Sequence, residues 1–139
     1  MSLQFNYRDG NGDFQGIELV SSDDIADKFA APKNVLTSQM WNDITVRATY
    51  FRGTVFITVS RIGQSGEAYV NTAGSDCGLL NVGYAPSQVV RQILGSKTSS
   101  GAWLVLEVHP DRKIKLLNWY SQGDNWSMFS GSLSYAVNK

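Results

Sequence analysis

From residue 44 onward apolar and polar side chains alternate in short runs, the period of two that predicts half-buried strands rather than helices. In residues 54–62, Val55, Ile57 and Val59 take one face while Phe56, Thr58 and Ser60 take the other. Residues 44–50 precede that run across Arg52-Gly53, which predicts a hairpin. Further runs at 67–71, 78–82, 89–94, 103–108, 114–119 and 127–137 are separated by turns rich in glycine, serine and asparagine. About eight strands in roughly a hundred residues, with no helical pattern between them, predict an all-β, mainly antiparallel fold. A β-sandwich or jelly-roll head is expected, and a parallel α/β sheet is not.

The N-terminal part reads differently. Residues 3–7 and 14–20 flank Arg8-Asp9-Gly10-Asn11-Gly12, whose Asp-Gly and Asn-Gly pairs tolerate the positive φ of a tight connection, so a small hairpin is predicted. Ser21-Ser22-Asp23-Asp24, followed by Ile25, Ala26, Phe29 and Ala30 and stopped by Pro32, predicts one short helix at about 22–31 with a serine cap and an acidic first turn. The expected organisation is an attachment or shoulder segment at 1–38 and a β-sandwich head at 39–139.

Composition narrows the function. A chain of 139 residues is one domain's length and can bury one sizeable core. Twelve basic and twelve acidic residues cancel, which leaves no overall field directed at nucleic acid or an anionic membrane. No apolar run approaches the roughly 20 residues that cross a bilayer, and Met1-Ser2-Leu3-Gln4 lacks the regions of a signal peptide, so a soluble protein is expected. Cys77 is the single cysteine, which excludes an intrachain disulfide and a cysteine-rich zinc site, and it reads as a small side chain without chemistry.

Catalytic patterns are sparse. His109 is the only histidine and precedes Pro110 in a predicted turn, and no Gly-x-Ser-x-Gly elbow occurs. Glu18, Glu67, Glu107, Asp111 and Asp124 suggest no particular pair of carboxylates for glycoside hydrolysis. Asp9, Asn11 and Asp13 alternate like the start of a calcium loop, but Gly10 and Gly12 fit a plain turn and the distal Glu of that loop is missing. The expectation is a non-enzyme with no cofactor and no metal site.

What stands out is the C-terminal concentration of Trp103, Glu107, His109, Trp119, Tyr120, Asp124, Asn125 and Trp126. Aromatic planes stack on the C–H face of a sugar ring while carboxylate, amide and imidazole groups bond its hydroxyls. Each tryptophan taken singly also fits a core position. As a cluster, Trp119-Tyr120 and Asp124-Asn125-Trp126 flank the polar turn Ser121-Gln122-Gly123, where so many large aromatics suggest that one faces a partner. Strand geometry puts Leu104, Leu106 and Val108 in the core. Trp103, Val105, Glu107 and His109 then lie on the opposite face, which is expected to be solvent or an intersubunit surface. The candidate saccharide-binding residues are Glu107, His109, Trp119, Tyr120, Asp124 and Trp126, with Arg47 or Arg91 as a further donor.

The order of Gly83-Tyr84-Ala85-Pro86-Ser87, then a hairpin turning through His109-Pro110-Asp111-Arg112-Lys113, then a tryptophan and a closing Ser134-Tyr135 strand, resembles the C-terminal head domains of bacteriophage tail receptor-binding proteins. The resemblance covers roughly the last hundred residues. It implies host adhesion rather than catalysis, a homotrimer, a location on the virion tail, and as partners a host cell-surface polysaccharide and other tail or baseplate proteins. It also implies a saccharide pocket between subunits, using a His and an Asp two residues apart with a Trp from the following strand. Here the matching positions read Glu107-Val108-His109 and Trp119, with acid and imidazole in reversed order. A structural baseplate component of the same fold and a trimeric adhesion domain of the C1q or tumour-necrosis-factor type are the alternatives.

Overall fold

The computed structural model describes residues 2–8, 14–21, 31–120 and 122–138. The chain divides into two compact units, residues 1–31 and 32–139. In the first, β1 (Ser2–Arg8) and β2 (Phe14–Ser21) pair antiparallel as expected, with Phe5 opposite Ile17 and Tyr7 opposite Gln15. The connection carrying Asp9, Asn11 and Asp13 lies outside the described residues, as do positions 22–30 of the expected helix. No helix occurs among the described residues.

The second unit contains β3 (Lys33–Asn34), β4 (Leu36–Gln39), β5 (Thr45–Phe51), β6 (Thr54–Arg61), β7 (Ala68–Val70), β8 (Ser75–Leu80), β9 (Val90–Lys97), β10 (Ala102–Val108), β11 (Lys113–Asn118), β12 (Asp124–Trp126) and β13 (Phe129–Ala136). They build an antiparallel four-stranded sheet, β13-β6-β5-β3, a five-stranded sheet, β4-β8-β11-β10-β9, and a two-stranded ribbon, β12-β7. The inner faces of the two larger sheets share one core, which makes the unit a β-sandwich. Val46, Val55, Ile57, Val59 and Leu133 meet Leu80, Leu104, Leu106, Ile114 and Leu116 in it, each contributing about 1.5–3 kcal/mol through burial.

β6 keeps the predicted alternation, with Val55, Ile57 and Val59 buried and Phe56 and Thr58 exposed. The β5–β6 connection puts Arg52 (φ 50°) and Gly53 (φ 81°) in the left-handed region, the requirement of a two-residue hairpin turn. β3 and β4 were not foreseen. They are one extended segment that crosses from sheet to sheet at the fully buried Val35, whose N–H donates to Ala48 O (2.9 Å) and whose carbonyl accepts from Asn81 N (2.8 Å). Because β3 pairs with β5 and β4 with β8, these residues belong to the sandwich, and the division falls after residue 31 instead of 38.

On the other side β9 approaches β13. Gly131 eases the approach, since a Cβ on it would sit 2.2 Å from Leu94 Cδ2 and the Leu94 side chain would have to move. The Gly-Tyr-x-Pro step is structural: Tyr84 is buried, stacks edge-on against Tyr50 at 5.3 Å, and its carbonyl accepts from Tyr135 Oη at 2.7 Å. Cys77 is fully buried, and burial pushes its thiol up to about 12, so it stays protonated at neutral pH.

Candidate functional site

The β10–β11 hairpin sets two tryptophans side by side. Its register places Leu104 opposite Asn118, so Trp103 and Trp119 are neighbours, and Trp119 N donates to Trp103 O at 2.7 Å. Trp103 is 47% exposed, and Trp119 and Tyr120 are each 56% exposed. The Tyr120 ring lies over Gly101, where a Cβ would meet it at 3.6 Å. Gly101 has φ +69° and closes the β9–β10 turn through its N–H to Lys97 O (2.8 Å). These four residues line an open cleft of about 300 Å³.

Asn118 sets that geometry. It is 1% exposed, receives Trp126 Nε1 on Oδ1 at 3.1 Å, donates Nδ2 to Gln122 O at 2.7 Å, and donates its backbone N–H to Asn71 O at 2.9 Å. The turn after β11 is therefore fastened from three directions. Trp126 is drawn inward by the same bond and, at 6% exposed, is a core residue rather than the ligand-facing one expected.

Asp124 was also expected to face a ligand, but its carboxylate is engaged locally. Oδ2 accepts from Ser100 Oγ (2.8 Å), and Oδ1 accepts from Asn125 N (2.7 Å) and Lys97 Nζ (3.2 Å). The Ser100 hydroxyl first, then the Asn125 amide and Lys97, hold its carboxyl below the usual range. Lys97 also lies 4.8 Å from the centroid of the Trp126 ring, so the group latches the β9–β10 turn to β12.

Glu107 and His109 do not project freely. Glu107 is 7% exposed, with Oε2 accepting from Arg91 Nε and Oε1 3.0 Å from His109 Nε2. Strand register explains the burial that was not expected. Glu107 sits between Arg91 on β9 and Lys115 on β11, Lys115 pairs with Asp76 on β8, and charges alternate along the row. Its neighbour Val105, between Ile93 and Leu117, is likewise buried. Four to six residues of extended chain, roughly 13–20 Å, separate Glu107 and His109 from Trp103. Within one chain, therefore, the acid–imidazole pair and Trp119 stand at opposite ends of the hairpin and do not share a pocket.

The six expected residues thus fall into three places, with Trp119 and Tyr120 lining the cleft and Trp103 joining them. Arg47 is exposed on β5, on the other sheet. Among the described residues no three His, Cys, Asp or Glu side chains gather as metal ligands do. Comparison with protein-family models, curated proteins and solved structures gave no match.

Proposed function

We propose that this chain is a noncatalytic saccharide-binding protein of a phage or prophage tail, which attaches the particle to a glycan on the host cell surface. The observation that carries the reading is the cleft of Trp103, Trp119 and Tyr120, three half-exposed aromatic side chains held around Gly101. Burying such side chains stabilises a sandwich core, so leaving three together in water favours a partner. Their planes suit the C–H face of a pyranose, and indole N–H and phenol groups are donors of the kind sugar hydroxyls accept from. Among the described residues no carboxylate or imidazole lines the cleft, which favours binding over turnover.

Placement on a tail and assembly as a homotrimer rest on the resemblance of the C-terminal region. In that setting a single-site affinity of about millimolar becomes firm attachment through many copies. The test is binding to intact cells and purified wall polysaccharide from a panel of bacteria, with light scattering for mass. A Trp119→Ala variant, shown to be folded, loses at least about tenfold in affinity. A monodisperse protein that binds no polysaccharide makes a structural tail component the better reading.

A further inference from the structure

We infer that the sandwich carries a second saccharide site, in the groove where β9 meets β6 and β13, and that it takes a neutral pyranose. The groove has a volume of about 550 Å³ and is lined by Phe56, Thr58, Ser132 and Ser134 on one wall and Arg91 and Gln92 on the other. Register places Thr58 opposite Ser132 and Phe56 opposite Ser134, so three hydroxyls and an aromatic ring form a compact patch with cross-strand spacings of roughly 5 Å. Phe56 is 44% exposed although β6 could have carried another threonine there.

The opposite wall supplies an acceptor, with a charged side chain at its border. Arg91 is held through Nε by Glu107, and no hydrogen bond to a described residue reaches its terminal nitrogens. Gln92 donates Nε2 to Ile93 O at 3.2 Å, which leaves its Oε1 as an acceptor. The groove therefore offers a stacking face, an amide oxygen and three hydroxyls that both donate and accept, while the Arg91 guanidinium, held by Glu107 on the other face of β9, stands at its border. A pyranose matches that set, with an apolar C–H face and a rim of hydroxyls. The Glu107 carboxylate already balances the Arg91 charge, so an anionic sugar gains little over a neutral one. Arg91 stands opposite Glu107, four residues along β10 from Trp103, so the groove is distinct from the aromatic cleft.

The test is an NMR titration of the labelled protein with the methyl glycosides of glucose, galactose, N-acetylglucosamine, rhamnose and glucuronic acid. The Gln92 side-chain amide, the Arg91 Nε–H and the 130–134 amides report the groove, and the Trp119 indole N–H reports the cleft. At least one neutral glycoside shifts the groove signals saturably, and Phe56→Ala weakens that response about tenfold while the Trp119 response persists. The inference fails if no glycoside saturates the groove signals, if Phe56→Ala leaves them unchanged, or if the glucuronide binds best. It fails equally if Phe56→Ala turns an oligomer into monomers without any glycoside response, which assigns the groove to a second copy. A silent Trp119 indole beside a responding groove overturns the cleft reading and leaves this one standing.

Discussion

Replacing Arg61 with methionine tests what holds the end of the sandwich nearest β12. Arg61 takes the inward position after Val55, Ile57 and Val59 on β6 and is 1% exposed. Its Nη2 donates to Ser65 O at 3.0 Å and its Nη1 to Gly66 O at 3.2 Å and to Ser127 O, with Asp43 Oδ2 at 3.9 Å. One guanidinium thus fastens the 62–67 turn and the segment before β13. Bonds from a charged donor contribute about 1.5–3 kcal/mol each, which sets a ceiling of about 4.5–9 kcal/mol for three. Two effects lower it. Ser65, Gly66 and Ser127 are exposed, so their carbonyls regain water, and removing the guanidinium also removes the several kcal/mol that burying its charge costs. Methionine fills much of the same volume, which keeps the cavity contribution small. The expected loss is about 2–3 kcal/mol, read as a lower urea midpoint and a fall in Tm of roughly 10 °C. Hydrogen exchange at 62–67 accelerates more than in β10. A methionine variant as stable as the parent, or more so, refutes the reasoning, because the apolar replacement then outweighs the three carbonyl bonds.

Two glycines give a paired prediction. Gly131→Ala costs about 1–2 kcal/mol and is relieved by Leu94→Ala in a double-mutant cycle, because the obstruction is a movable side-chain end. Gly123→Ala costs more and is relieved only in part by Tyr69→Ser, because Val70 O, a backbone atom, also stands 2.8 Å from the new Cβ. The third prediction concerns acid. A folded-state carboxyl held below its unfolded value stabilises the fold above about pH 4 and ceases to do so as pH falls through its own lower value. The stability gap between the parent and Asp124→Asn, followed by thermal melts, should therefore shrink as pH falls below the ordinary carboxylate range; a gap that does not shrink shows that the Ser100–Asp124–Lys97 latch acts through something other than charge.

The residues that could be read in advance are those whose environment depends on near neighbours in the chain. Val55, Ile57 and Val59 declare their face by alternation alone, and Arg52-Gly53 declares its turn because glycine and a left-handed neighbour fit two-residue hairpins. Glu107 could not be placed that way. Its burial depends on Arg91 from β9 and His109 beyond the end of its own strand, and a carboxylate that looks costly to bury becomes tolerable once two partners are supplied. β4 was hidden for a similar reason: Leu36–Gln39 carries weak alternation and is a strand because β8 offers it an edge. The sorting of the tryptophans follows the same rule. Trp126 and Trp119 flank one short turn with similar chemistry, and their fates separate at Asn118, whose side-chain oxygen captures the indole of Trp126 while its backbone leads directly into Trp119. A buried asparagine was not singled out from the pattern of apolar positions, yet it decides which indole joins the core and which stays in the cleft. Asn118→Leu therefore disturbs the cleft without touching a residue that lines it. It releases Trp126 and Gln122 together, so cleft binding and the near-ultraviolet tryptophan signal should fall in parallel. If binding survives loss of that signal, the cleft does not depend on Asn118 for its shape.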